Sequence, residues 1–267
     1  MKPLNLFASE QFPLRASALQ TLAKCPYQMV LKFLEQTPDE SGAAADTGSS
    51  VHVAAEVFHR TGDFARAVAE MRRIAPQKFP RADIDAAEKL ASAYCRDPRN
   101  ARATIETIEC PIRFSIDPHP TDPTGKPIWI MGTLDQIRAE RGGSYLWDLK
   151  TGKYYDGLEQ LYEATLQLSA YCVGATAKFG RNILPGGVIK PAHYLKRGVD
   201  PTAEPPGIFW HASFTLADCY TLVDGLRHVI AGIRRGEVPI TPGSHCTFCP
   251  TGGLDACIPI LRRLIGS

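Results

Sequence analysis

The sequence has no long apolar run and almost no excess of either charge. Its uninterrupted hydrophobic stretches fall far short of the roughly 18 residues needed to cross a bilayer. The first residues, MKPLNLFASEQFPLR, hold no sustained apolar segment of the kind that directs secretion, so an intracellular, cytoplasmic protein with no membrane contact is expected. Lys and Arg number 30 against 28 Asp and Glu, a net charge of +2, which excludes a chain that binds polyanions through overall charge. Any nucleic-acid contact must come from a local patch. There is no internal repeat, no low-complexity tract and no obvious linker. What is present is an ordinary globular mixture, 44% hydrophobic and 22% charged, which argues against disorder. At 267 residues the chain can bury roughly three quarters of its unfolded surface without a covalent staple.

Eight cysteines therefore need a reason, because structural disulfides rarely persist in a reducing compartment. Cys95, Cys110, Cys172 and Cys219 are isolated within apolar segments and read as small buried hydrophobes. Cys246, Cys249 and Cys257 instead crowd into HCTFCPTGGLDAC, a Gly- and Pro-rich loop without helix or strand periodicity. That cluster suits a metal.

The first hundred residues carry helical spacing. LRASALQTLAKCPYQMVLKFLEQ predicts two short helices broken at Cys25-Pro26. A helix capped by Asp46 or Thr47 follows through SSVHVAAEVFHR. DFARAVAEMRRIA and RADIDAAEKLASAYCRD add two amphipathic helices separated by a Pro-containing loop. The pattern then turns strand-like in ATIETIECPIRFSI, IWIMGTLDQIRAE and SYLWDLKTG. A helix over about Glu159 to Lys178 precedes strands in GVIKPAHYLKRG and GIFWHASF, and a last helix spans about Leu216 to Arg235. The order predicts one α/β domain over 1–267: a helical part (1–100), an α/β core (101–215), and a C-terminal helix with the cysteine tail (216–267).

The second and third strands are joined by Glu140-Arg141-Gly142-Gly143, a plausible tight hairpin. If Arg141 and Gly142 form a two-residue loop, Asp135 lies opposite Asp148 on one sheet face, with Cβ atoms about 4.5–5.5 Å apart. Lys150 shares that face because strand side chains alternate. Two like charges so close need something cationic between them. Oxygen ligands at this spacing suit Mg²⁺ or Mn²⁺. The plainer reading is a solvated sheet face with weak ion pairs. Against it, Trp147 and Leu149 flank Asp148 while Leu134 and Ile137 bracket Asp135, so these charges emerge from a hydrophobic sheet.

GTLDQI followed by DLK thirteen residues after Asp135 resembles the PD-(D/E)XK nuclease signature in its RecB-like form. Gly48-Ser-Ser-Val-His52 resembles that family's helical G-x-x-x-H motif, whose histidine ligates the metal. Gln167-Leu-Ser-Ala-Tyr171 resembles its Q-x-x-x-Y motif. The cysteines are similar to those of CRISPR-associated RecB-like exonucleases and the AddB nuclease domain, where one N-terminal and three C-terminal cysteines hold a 4Fe–4S cluster. Here Cys25 would be the first ligand and Cys246, Cys249 and Cys257 the others. Seven residues between Cys249 and Cys257 exceed the expected gap, and zinc fits a four-cysteine site too, with His245 as a substitute ligand. No helicase motif is present, so the resemblance implies a free-standing nuclease with a restriction-endonuclease-like mixed sheet flanked by helices.

The resemblance implies metal-assisted phosphodiester hydrolysis. Asp135, Asp148, the Leu149 carbonyl and His52 would hold Mg²⁺ or Mn²⁺, Lys150 would position water or neutralise charge, and Gln167 and Tyr171 would orient Lys150 or the DNA. Glu109 reads as a solvated strand charge, with an outer-shell acid as the other reading. Tyr154 and Tyr155 read as surface or core residues, with base stacking as the alternative. The implied substrate is DNA, single-stranded by preference, and the implied partners are recombination, repair or CRISPR-adaptation proteins. The other class of function is a nucleic-acid binding or assembly module with a vestigial site. A dead copy tends to lose unpaired charges, whereas Asp135, Asp148, Lys150 and His52 are all present. A site-specific endonuclease on the same core is a third reading.

Overall fold

Proline and the caps set the N-terminal helices. The computed structural model describes residues 4–35, 42–140, 142–152, 158–192, 215–241 and 246. After a 3₁₀ turn at Leu4–Leu6, α1 (Ala18–Lys24) ends at Cys25, whose extended backbone is what a residue before proline adopts, and α2 (Pro26–Glu35) restarts at Pro26. α3 (Ala43–Thr61) is capped at Gly42, four residues before Asp46, the first of the two predicted caps, and closes on Gly62 at φ 70°. Asp46 is thus inside the first turn, buried, and accepts from the Arg81 N–H at 3.1 Å. α4 (Phe64–Lys78), α5 (Ile84–Arg96) and the short α6 (Pro98–Ala101) start from Asp63, Asp83 and Asp97, each accepting a main-chain N–H two or three residues on. α4 runs through Pro76 in its last turn, and the loop that follows it holds Pro80, as expected.

The sheet is built on β3 (Ile128–Glu140). β2 (Thr104–Ile116) runs antiparallel along the whole of one edge, from Thr104↔Ala139 to Ile116↔Ile128. The other edge is shared. β4 (Gly143–Leu149) pairs antiparallel with Gln136 to Glu140, and β1 (Leu14–Arg15) pairs parallel with Ile130 and Met131. β5 (Ile183–Ile189) adds parallel to β4, so the sheet is mixed. β5 starts four residues before the predicted strand. The predicted strand in GIFWHASF lies outside the described residues.

α7 (Leu158–Phe179) and α8 (Leu216–Arg235, opened by a Thr215/Asp218 capping box) pack with α1 and α2 over one hydrophobic cluster, which takes Ile128, Ile130, Leu134, Ile137 and Leu146 from the sheet. A second cluster joins α3, α4 and α5 to Trp147, Leu149 and Ile189. The result is a mixed sheet flanked by helices, as expected, with the acidic strand positions between the two clusters. Among the described residues no helix is long and apolar enough to cross a membrane.

Candidate active site

The β3–β4 ladder has the predicted register: Glu140↔Gly143, Ala139↔Ser144 and so on to Gln136↔Trp147. Continued one step past the ladder, that register sets Asp135 against Asp148, whose charge acts on the Asp135 carboxyl. On the other edge, Ile108↔Gln136 and Cys110↔Leu134 bracket Glu109, which faces Asp135. Three carboxylates therefore form a row across β2, β3 and β4. Glu109 occupies the left-handed region at φ 46°, where a glutamate is strained, so the strand is distorted at the position that brings its carboxylate into the row.

That arrangement corrects the reading of Glu109 as solvated. Its side chain is only 20% exposed, and its Oε1 lies 2.8 Å from His52 Nδ1. His52 Nδ1 is also 3.7 Å from Asp135 Oδ1, and Nε2 is 3.1 Å from the Leu149 carbonyl. The second oxygen of Asp135 accepts from the Leu149 N–H at 2.6 Å, so the carboxylate spans the point where the two strands stop pairing. The glycine of the G-x-x-x-H motif has a structural cause. A Cβ on Gly48 would lie 2.6 Å from Thr151 Oγ1, so glycine lets α3 approach the end of β4 and bring His52, one turn on, to Leu149.

Lys150 and α7 complete the other side. Lys150 Nζ lies 3.0 Å from Asp148 Oδ2 and donates to Gln167 Oε1 at 3.1 Å. Gln167 in turn accepts from Gln20 Nε2 of α1 at 2.9 Å and reaches Asp148 Oδ1 at 3.5 Å. Gln20 is a contact with no signal in the sequence. Tyr171 is buried one helical turn beyond Gln167 and packs over Gly132, where a Cβ would meet its hydroxyl at 2.3 Å. Both residues of the Q-x-x-x-Y motif thus face the acids, as their spacing predicts.

Burial tunes these charges in opposite directions. Burial raises the Asp135 carboxyl to about 7, helped by Asp148 and Glu109 against His52 and Lys150. For His52, burial favours the neutral ring, but Asp135 and Glu109 win and hold it up at about 9. Burial also opposes the Lys150 ammonium, and Asp148 and Asp135 outweigh it, so the pKa is raised.

One donor atom each from His52, Glu109 and Asp135 falls within 4.8 Å of the others, beside a cavity of about 320 Å³ that Ser49, Val53, Glu56, Phe79 and Thr133 also line. The carboxylates and the main-chain carbonyl are hard oxygen donors of the kind that bind Mg²⁺ or Mn²⁺, and the imidazole adds a donor that transition ions accept, so the residues fit a divalent ion. Cys25 is buried at the α1–α2 junction and Cys246 is half-buried. Cys249, Cys257, His245, Tyr154 and Tyr155 lie outside the described residues.

The fold can be compared with solved structures. It is similar to a candidate exonuclease from Eubacterium rectale, at 15% identity over 88% of this chain and 86% of that one, with a TM-score of 0.55. The structure of SSO0001 aligns at 16% identity over 85% of this chain and 91% of that one, with a TM-score of 0.35, below that of a shared fold. No curated protein matches. The family model for the PD-(D/E)XK nuclease superfamily matches residues 13–254, which span the acid row, the lysine and both helical motifs. With nearly the whole sequence inside that match, the chain belongs to the PD-(D/E)XK nuclease superfamily.

Proposed function

We propose that the protein is a Mg²⁺- or Mn²⁺-dependent deoxyribonuclease that acts as an exonuclease on single-stranded DNA, built as one nuclease domain. The observation that carries this reading is the row Glu109, Asp135, Asp148 with His52 at one end and Lys150 at the other. Asp135, Asp148, Glu109, His52 and the Leu149 carbonyl would hold the metal. A bound ion of this class lowers the pKa of a coordinated water and takes up charge on the scissile phosphate. Lys150 stays protonated beside Asp148 and supplies a fixed positive charge where phosphate charge develops, a contribution typically worth about 10²–10³ in rate. Gln167 keeps that ammonium aimed by accepting from it while Gln20 holds the amide in turn. Tyr171 closes α7 against Gly132 and fixes the distance from helix to strand.

Strand preference and direction are read from the products. End-labelled single- and double-stranded DNA incubated with Mn²⁺ tests both. Stepwise shortening of the single strand, stopped by EDTA and restored by excess Mn²⁺, is the expected result. Intact DNA and RNA with every divalent ion would overturn the reading.

The cysteine clasp belongs to the proposal on the sequence resemblance alone: a 4Fe–4S cluster held by Cys25, Cys246, Cys249 and Cys257, joining the N-terminal helices to the tail, with recombination, repair or CRISPR-adaptation proteins as partners. Thiolates select zinc as readily, so metal analysis decides. Anaerobically purified protein is expected to be brown, with iron and sulfide in near-equal amounts, and Cys25→Ser to bleach it while Cys95→Ser does not. A colourless protein with one zinc per chain would replace the cluster by zinc.

A further inference from the structure

Below the cavity that Asp135 and Glu109 line, the sheet face turned away from the first cluster is uncovered among the described residues. Ile128, Ile130 and Leu134 of β3 are fully buried in the first hydrophobic cluster, so the alternating residues Trp129, Met131 and Thr133 point the other way. The buried apolar contacts of the helical layer α3, α4 and α5 with the sheet come from β4 and β5, through Trp147, Leu149 and Ile189. Met131 is consequently 40% exposed, one of two large hydrophobics so placed among the described residues. Register sets an arginine on each side of it, Arg113 of β2 and Arg15 of β1, both exposed. Arg113 donates to the Glu10 carbonyl at 2.6 Å and lies over the Trp129 ring at 5.0 Å, so its contacts among the described residues are a main-chain oxygen and an aromatic face rather than a carboxylate. Among the described residues its charge is oriented by these contacts and paired with no carboxylate.

From these positions, and resting on the nuclease reading above, we propose that this face is the track along which a single nucleic-acid strand reaches the acid row. Two-residue steps along a strand are about 6.7 Å, so Trp129 lies about 20 Å from Asp135, and the stripe spans a few extended nucleotides. Cationic side chains interleaved with apolar and aromatic ones are the chemistry of sequence-tolerant single-strand binding: arginines take phosphates, while flat or polarisable groups take bases. The track is also continuous with the cavity through Thr133, which lines both. A protein partner would find few matching features here. The exposed apolar area is a single methionine between two like charges.

The test is binding without turnover. A labelled oligothymidylate of about twelve nucleotides is titrated by fluorescence anisotropy in EDTA, at salt from about 50 to 200 mM. Met131→Glu is expected to weaken binding about tenfold or more, the loss of one apolar contact with a base plus an added repulsion of the phosphates. Arg113→Gln is expected to weaken it and to reduce the slope of log affinity against log salt by about 0.7, one phosphate contact, with Arg113→Lys restoring the slope. Tyr220→Glu, at the other exposed large hydrophobic, is expected to behave as wild type. Melting curves exclude unfolding, and Met131→Ser replaces Met131→Glu if that variant melts early. Unchanged affinity and salt slope in the Met131 and Arg113 variants, or no binding by wild type, would overturn the track. Wild type that binds in this pattern but cuts nothing with Mn²⁺ would remove the nuclease reading and leave the track standing.

Discussion

Glu109 is held where a side chain costs energy, and the strain gives a test independent of activity. At φ 46° a residue with a Cβ is disfavoured by about 1–2 kcal/mol relative to glycine. Glu109→Gly and Glu109→Ala both remove the carboxylate beside His52, so their difference isolates the backbone. Glu109→Gly is expected to unfold at higher denaturant than Glu109→Ala by about 1 kcal/mol, while both lose at least tenfold in apparent Mn²⁺ affinity. Equal stability of the two would show that the strain is absent. His59 makes a pH prediction. Its Nε2 lies 2.6 Å from the Tyr94 hydroxyl, whose oxygen accepts from the Gln136 amide, and Gln136 Oε1 in turn accepts from the buried Arg138 at 2.9 Å and 2.7 Å. Burial, then Arg138, lower His59 from 6.5 to about 4. A histidine depressed in the fold stabilises it fully above the unfolded value and loses that contribution as pH falls, here between 6.5 and about 4. Melting temperature followed across that window is expected to fall more steeply for wild type than for His59→Gln. Parallel curves would mean that His59 titrates normally.

At the scale of elements, Gly132 and Tyr171 show how closely α7 is set onto β3. Gly132→Ala puts a methyl 2.3 Å from the Tyr171 hydroxyl and is expected to cost about 1–3 kcal/mol. Tyr171→Phe, which removes that oxygen, is expected to recover part of the loss, so the double variant should be more stable than the sum of the singles predicts. Strict additivity in urea denaturation would contradict the contact. The elements also show what the sequence could reveal. The hairpin register followed from a two-residue turn with Gly142 at φ 76°, and that alone put Asp135 opposite Asp148. The helices with aspartate caps were legible because the cap signal is local. β5 was cut short because Pro185, Gly186 and Gly187 look like strand breakers. In the fold a Cβ on Gly186 would lie 2.6 Å from the Trp147 indole nitrogen, so the glycine serves packing that periodicity does not encode. β1, two residues long, carries no pattern at all. Glu109 was missed for a related reason: its burial comes from α3 crossing β2, a contact between residues 57 apart.

At the scale of the molecule, distant segments are tied together by a group that has no signal in the sequence. Arg234, in the last turn of α8, forms an ion pair with Asp122 at 2.7 Å with both side chains fully buried. Its remaining donors reach the carbonyls of Phe7, Ala8, Lys126 and Pro127. One guanidinium thus joins α8 to the N-terminal turn and the β2–β3 connection. Arg234→Met leaves Asp122 charged and buried without its partner and is expected to cost about 3–5 kcal/mol in chemical denaturation. A loss under about 1 kcal/mol would mean that these segments are held by the apolar cluster alone. These segments are held around the centre, where Lys150 meets the acid row. The most direct test of that centre is the rate at which Asp135→Asn, Asp148→Asn and Lys150→Ala shorten end-labelled single-stranded DNA with Mn²⁺, beside their melting temperatures. All three are expected to fall at least about a hundredfold below wild type with folds that melt as wild type does to within about 5 °C. Wild-type rates in any two of them would place the chemistry elsewhere.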